Sequence, residues 1–221
     1  AEGHHTWQYP KEELDKLKDT SIKLACIVNP SNPPAVAMSE ESMTYLKDIV
    51  DTYHPKLMIV TDDVYGTFCD GFKSLMVMMP YHTLGVYSYS KYFGVTGWRL
   101  GVIALAKDNV YNELISQLPT EEKLILQRRY EALTTTPHQI PFIDRIVADS
   151  RDVALNHTAG LSTPQQVQMA IFSAFALLDV ENKYKKQTKA ICRRREQLIC
   201  DELKAYPSVI NQLNTSYYNK Y

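Results

Sequence analysis

No run of apolar residues in this chain approaches the ~20 that a bilayer-spanning helix needs. The first residues, Ala1-Glu2-Gly3-His4-His5, lack the apolar stretch of a signal peptide. Neither charge sign dominates: 24 Lys and Arg stand against 25 Asp and Glu, for a formal net charge of -1. That balance excludes the electrostatic footprint of a nucleic-acid binder or a membrane-surface protein. Internal repeats and low-complexity tracts are missing. Cysteine is scarce, with four residues at 26, 69, 192 and 200. None forms a CxxC pair, and no histidine lies at metal-ligand spacing to them. They are expected to be free thiols in a reducing compartment, which predicts a cytoplasmic protein. A redox or metal role would require pairing in space. An initiator methionine is also missing, so the chain is expected to begin within a longer protein.

What is present is ordinary soluble composition, with 45% hydrophobic and 22% charged residues. A chain of 221 residues can bury a substantial core and suits one large domain or one and a half. In the first half, strand and helix signals alternate. Ile22 to Val28, Lys56 to Thr61, Thr83 to Ser88 and Arg99 to Ala106 read as strands. Ser39 can cap a helix running to about Tyr53, with Glu40 and Glu41 in its first turn. Strand-helix-strand order predicts an α/β fold with a mostly parallel sheet and flanking helices. The second half reads as helices over 108–118, 120–134, 138–155, 164–179 and 181–205, punctuated by Pro119, Pro137, Pro141 and Pro164.

Ligands of open α/β sheets bind outside the carboxyl ends of the strands. That rule selects three loops: Asn29 to Pro34, Asp62 to Phe68, and Ser88 to Gly101. The third reads Ser-Tyr-Ser-Lys-Tyr-Phe-Gly-Val-Thr-Gly-Trp-Arg-Leu-Gly. The Lys91 amine can condense with an aldehyde. Ser88 and Arg99 can bind a phosphate, with Arg99 offering a bidentate fork. Gly94, Gly97 and Gly101 would let the backbone pass close to a bound group.

The segment 88–101 resembles the lysine signature of the class I aminotransferases, fold type I of the pyridoxal-phosphate enzymes. The resemblance implies Lys91 as the residue that carries pyridoxal 5'-phosphate. Asp62-Asp63-Val64-Tyr65 is similar to the family's Asp-x-x-Tyr element, and Asn29-Pro30 to its Asn-Pro element. By that resemblance Asp62 holds the pyridinium nitrogen, while Tyr65 and Asn29 serve the ring oxygen. Ser88, with Ser90 less securely, and Arg99 bind the phosphate. The Asn29-Pro30 peptide bond is open to the cis form. After Pro30 this chain has Ser31-Asn32-Pro33-Pro34 where most class I members have Thr-Gly, which weighs against an ordinary aspartate or aromatic aminotransferase. Together with 62–75, 87–104 and 148–168, this loop is similar to the branch that both transaminates aspartate and removes its β-carboxylate. Arg151 and Thr158 then become substrate-side candidates.

The implied fold is the large domain of that family over residues 1–180, with 181–221 forming a connecting helix and the start of a small domain that is missing here. The implied activity is conversion of L-aspartate to L-alanine and CO2, transamination with a 2-oxo acid, or both. A plain aminotransferase for another amino acid is the alternative. A second alternative is a binding unit without catalysis. The family's Gly-rich phosphate loop, its stacking aromatic and its α-carboxylate arginine are not identifiable in these residues. The resemblance also implies a homodimer or larger homo-oligomer, joined around 158–168. Nucleic acid, membrane and metal are not expected partners.

Each candidate also has a plain reading. Lys91 could be a surface lysine. Asp62 could cap a short helix starting at Asp63. Tyr65 and Asn29 could be packing and turn residues. Ser88 and Ser90 could bond locally to backbone. Arg128, Arg129, Arg145 and Arg151 would by default be in salt bridges. Arg193-Arg194-Arg195 reads as the wet face of a helix.

Overall fold

The computed structural model describes residues 6–152, 161–204 and 213–217. Helix α1 (Lys11–Asp15) precedes strand β1 (Leu24–Val28), and α2 (Glu40–Tyr53) leads to β2 (Met58–Asp62). A short helix α3 (Leu75–Met78), strand β3 (Thr83–Ser88), the one-turn helix α4 (Tyr89–Tyr92) and strand β4 (Gly101–Leu105) follow. The four strands form one sheet in the order β1-β2-β3-β4. The first three are parallel and β4 is antiparallel to β3.

The parallel part follows from the crossovers. β1 reaches β2 through α2, a helix long enough to bring the chain back to the same sheet end. Ser39 begins that helix as predicted, its hydroxyl accepting the Ser42 N–H at 3.1 Å. Such a cap contributes ~1 kcal/mol. Met43, Leu46, Ile49 and Val50 bury its apolar stripe, at ~1.5–3 kcal/mol for each fully buried side chain. β4 runs the other way because the chain between β3 and β4 holds only one helical turn and a 3-10 turn at Thr96–Trp98. It has no room for a crossover.

β2 alternates between two cores. Ile59 enters the cluster formed with Ala25, Ile27, Met43, Leu46, Val50, Leu75 and Met79. Met58 and Val60 face the cluster around Leu84, Val110 and Tyr111. Helices on both faces explain why β2 reads as a continuous apolar run. On the second face, α5 (Val110–Ser116) and α7 (Phe142–Asp152) cover the sheet. The Tyr111 ring stacks on Phe142 at 4.7 Å, and its hydroxyl donates to the Ile59 carbonyl at 2.6 Å. Both outer strands keep apolar side chains in the open: Leu24 is 46% exposed and Ile103 46%.

The helical half contains α5, α6 (Thr120–Arg128), α7, α8 (Thr163–Leu178) and α9 (Lys183–Leu203). The helix expected to reach residue 134 stops at Arg128. The chain there tightens into i to i+3 turns, Tyr130 N–H to Gln127 at 2.9 Å and Leu133 N–H to Tyr130 at 3.0 Å. Three consecutive threonines before Pro137 then disfavour helix. Ser162 and Gln165 form a capping box on α8, with Pro164 in its first turn. Arg193, Arg194 and Arg195 are exposed on α9, as the run predicted. No disulfide joins the cysteines among the described residues. Among the described residues no helix is long and apolar enough to cross a membrane, and no His, Cys, Asp and Glu cluster could hold a metal.

Candidate active site

The carboxyl ends of β1, β2 and β3 lie side by side, and the three loops selected by the sequence leave from them. Val28 pairs with Asp62, and Asp62 with Val86. The Asn29 N–H donates to the Asp62 carbonyl at 2.9 Å, and the Asp63 N–H to the Val86 carbonyl at 2.9 Å. Backbone bonds therefore continue the sheet past the strands and lock the loop bases together.

Asn29 is fully buried. Its Oδ1 accepts the Met38 N–H at 2.8 Å, and its Nδ2 has no hydrogen-bond partner among the described residues. A buried donor without an acceptor costs about 1–3 kcal/mol, so this nitrogen is suited to an incoming oxygen. The Asn29-Pro30 bond is cis, the form to which the sequence left it open.

At the end of β2, Asp62 accepts the Val64 N–H on its Oδ1 at 3.1 Å. This is a turn rather than a helix cap, since the next helical residues are the 3-10 turn Gly66–Phe68. Tyr65 is buried, with its ring 5.3 Å from that of Tyr217. Beside Asp62, burial pushes the Asp63 carboxyl above the usual carboxylate range, partly offset by hydrogen bonds from Ser74 and Thr61. Sequence reasoning passed over Asp63, because burial of one of two adjacent aspartates has no signature in the residue string.

Lys91 stands on α4, directly after β3. The Ser88 hydroxyl caps this turn, accepting the Ser90 N–H at 3.2 Å and donating to the Ser90 hydroxyl at 2.8 Å. Lys91 is half-buried and has no hydrogen bond or ion pair among the described residues. Gly94 follows the turn at φ +67°, a conformation that suits glycine. Arg99 also adopts a left-handed conformation, φ 55° and ψ 46°. For a residue with a Cβ this costs ~1–2 kcal/mol, and it explains why β4 starts at Gly101 and not at Arg99. The Arg99 side chain is exposed, with Nη1 donating to the Thr96 carbonyl at 3.2 Å. Antiparallel pairing of Ser88 with Gly101 brings the Arg99 segment back beside the lysine turn. A Cβ at Gly101 would sit 3.1 Å from the Tyr87 carbonyl oxygen, so any other residue would have to push the neighbouring main chain back by a few tenths of an ångström. Beside Gly97 nothing lies within 4 Å of a Cβ, so the protein itself makes no such demand there.

Two candidates fall outside what the structure describes. Arg151 lies within α7, and its side chain is among those not described; Thr158 lies outside the described residues. Of the arginines expected in salt bridges, Arg129 pairs with Asp149 at 2.8 Å. Arg145 does not. It donates to the carbonyls of Ile140 at 2.9 Å and Pro137 at 3.3 Å and lies over the Tyr130 ring at 5.0 Å. A carbonyl-lined turn next to an aromatic face takes the place of an acid for Nε and Nη2, while the buried Nη1 has no hydrogen-bond partner among the described residues.

This fold, with its lysine turn, aspartate and asparagine at adjoining strand ends, defines a class. The chain belongs to the family described as aminotransferase class I and II, whose sequence profile matches residues 1–214. Enzymes of that family depend on pyridoxal phosphate. More particularly, the chain is 54% identical over 218 residues to a bifunctional aspartate aminotransferase and L-aspartate beta-decarboxylase of Pseudomonas sp. That match covers 99% of this chain and 41% of the relative. A kynurenine–oxoglutarate transaminase of Dictyostelium discoideum is 30% identical over 135 residues, 54% of this chain and 31% of its own. The chain thus spans well under half the length of these relatives. Among solved structures, a Thermus thermophilus aspartate aminotransferase mutant superposes with TM-score 0.61 at 18% identity, over 90% of this chain and 42% of its own. The aromatic aminotransferase of Pyrococcus horikoshii gives TM-score 0.52 at 20% identity, over 92% and 44%. At such identities the agreement concerns the fold alone.

Proposed function

We propose that this chain is the cofactor-binding part of a pyridoxal-phosphate enzyme that acts on L-aspartate. The observation that carries the reading is the buried, unpartnered Nδ2 of Asn29, bonded through its backbone to Asp62, at the strand ends where Lys91 also stands. These residues fit the cofactor. Asn29 Nδ2 and the Tyr65 hydroxyl would hold its ring oxygen. The Asp62 carboxylate would hold the ring nitrogen in its charged form. Ser88, Ser90 and Arg99 would hold the phosphate, with charge-assisted bonds from the guanidinium. When bound, pyridoxal phosphate supplies an aldehyde for the amine to condense with and a ring that withdraws electrons from the substrate.

Lys91 has two parts in this scheme. It anchors the cofactor through Nζ. When not engaged in that anchoring, the same Nζ would act as the base for the proton on the substrate Cα, carrying it as the ammonium until it is given back. Whether aspartate loses its amino group or its β-carboxylate depends on how the β-carboxylate is held, because only interactions stronger in the transition state speed a step. Arg151 and Thr158 remain the proposed substrate-side residues. We carry the domain division at residue 180 as part of the same reading, with α9 as the connecting helix, and with it a cytoplasmic homo-oligomer acting on an amino acid and a 2-oxo acid.

The test is to supply the full-length protein with pyridoxal phosphate and aspartate, with and without a 2-oxo acid. Alanine and CO2 from aspartate alone, and amino transfer once a 2-oxo acid is added, are expected. Amino transfer without CO2 would assign a plain aminotransferase. A folded protein that gives no visible absorption band with pyridoxal phosphate would defeat the reading and leave a binding unit.

A further inference from the structure

The lysine turn α4 is four residues long, far too short to hold itself in water. Its amino end is capped by Ser88, but a one-turn helix also leaves carbonyls without partners at its carboxyl end. One of these is satisfied from a distance. The Tyr184 hydroxyl donates to the Tyr92 carbonyl at 3.0 Å, from 92 residues downstream. The Tyr184 ring meets that of Tyr92 edge-on at 5.2 Å and stacks on Phe93 at 5.8 Å with an interplanar angle of 18°.

Tyr184 is itself held in place. Its N–H donates to one Asp179 oxygen at 2.8 Å, and the Lys183 N–H takes the other at 2.8 Å. This carboxylate caps the first turn of α9, where negative charge is also favoured by the helix dipole. Burial pushes the Tyr184 phenol above its ordinary range, so it remains a donor throughout neutral pH. The lysine turn is gripped at its other end too. The Tyr89 hydroxyl meets the Ser173 hydroxyl at 2.8 Å, and the Tyr89 ring lies 6.2 Å from that of Phe172. Helices α8 and α9 thus bracket α4 at both ends.

We propose that Tyr184 is a positioning residue for Lys91, its hydroxyl closing the carboxyl end of the lysine turn and fixing where the amine stands. Tyr184 touches neither reacting atoms nor cofactor; it acts through the main chain of Tyr92. The role of Lys91 rests on the function proposed above, but the mechanical grip does not. The geometry therefore assigns to the helical half a part in the chemistry that no motif near the lysine reveals.

The test uses Tyr184→Phe in the full-length protein, which keeps the ring and removes only the hydroxyl. In the cofactor-free protein, amide exchange over residues 89–96 is expected to quicken about fivefold, the effect of one ordinary hydrogen bond, while exchange in β2 stays unchanged. With pyridoxal phosphate bound, the pH titration of the visible band is expected to shift. Turnover is expected to fall about tenfold with little change in the aspartate KM, as for a misplaced catalytic group. Ser173→Ala loosens the opposite end and should move both readouts in the same direction, which keeps the test sound if Tyr184→Phe does not fold. Unchanged exchange overturns the grip. Lower stability with an unchanged titration and turnover reduces Tyr184 to a packing residue and overturns the positioning role. A parent protein with no visible band sinks the proposed function instead, and the exchange result still decides the grip.

Discussion

Asn29 and Asp62 are joined main chain to main chain, the N–H of the first donating to the carbonyl of the second at 2.9 Å. Each follows or ends a strand, so this bond adds a rung to the β1–β2 ladder beyond the strands themselves. Their side chains are presented by one rigid edge, not by two independent loops. Placement on such an edge is what a site needs if its donors are to keep a fixed spacing.

Replacement of Asn29 tests this edge without any ligand. Asn29→Ala takes away the acceptor for the Met38 N–H, at about 1–3 kcal/mol, and with it the unpartnered Nδ2, which relieves a cost of similar size. The urea midpoint of the cofactor-free protein should therefore move little. A fall worth a full lost hydrogen bond would mean that Nδ2 was already satisfied in the parent.

Borohydride trapping followed by peptide mapping should place the pyridoxyl label on Lys91. Lys91→Ala should lose both the label and the activity, the latter by roughly 10²–10⁴-fold or more, as for removal of a general base. A label on another lysine would remove the basis for the site.

Arg99 sets backbone strain against a ligand contact. Arg99→Gly relieves the left-handed conformation, which costs ~1–2 kcal/mol for a residue with a Cβ, against ~0.5–1 kcal/mol of added chain entropy. Folding stability should therefore be unchanged or slightly higher. Pyridoxal phosphate affinity should fall about 10- to 100-fold, the loss of a charged hydrogen bond. A variant both less stable and equally tight would contradict the assignment.

Acid sensitivity should come partly from Asp70. The hydrogen bond from Lys189 leads, with the charges of Lys189, Arg193 and Lys185 adding to it, in holding this carboxyl below the usual range. A depressed carboxylate contributes stability above its unfolded pKa, ~3.9, and loses it as pH falls through the lower folded value. Asp70→Asn should flatten that part of the stability curve below about pH 4. Because Asp70 is more than half exposed, the difference should stay below ~1 kcal/mol and shrink with salt. Equal acid unfolding of the two proteins would exclude this contribution.

The expected association can be tested on α8. Val167, Ile171, Phe175 and Leu178 recur at helical spacing, and all are at least 45% exposed. Such a stripe suits burial against another surface. Val167→Lys with Ile171→Lys should shift the full-length protein toward monomer in sedimentation. Unchanged mass would place the contact elsewhere.

The parts of this molecule that repeat a local rule could be read from the residue string. The α2 cap at Ser39, the buried run of β2, and the helices 163–178 and 183–203 all follow from spacing and caps. The three loops followed from the rule that ligands gather at strand ends, and the lysine motif supplied the chemistry. What escaped notice depends on contacts far apart in sequence. Tyr184 reaches the lysine turn across 92 residues, and nothing near position 184 marks it. Arg145, by default a salt-bridge residue, instead meets two carbonyls and a ring, which only the path of the backbone decides. Arg99 was counted into a strand because its left-handed conformation leaves no mark in residue type.

The antiparallel return from Ser88 to Gly101 makes residue count a specification in its own right. The twelve positions in between act as a fixed-length tether. Adding or deleting one must either be absorbed in the turns, displacing Lys91 relative to Arg99, or move β4 by a single register step and send every side chain of that strand to the opposite face. The segment should therefore accept changes of residue type far more readily than changes of length. An engineer seeking new specificity here has side chains to vary, but no loop to extend.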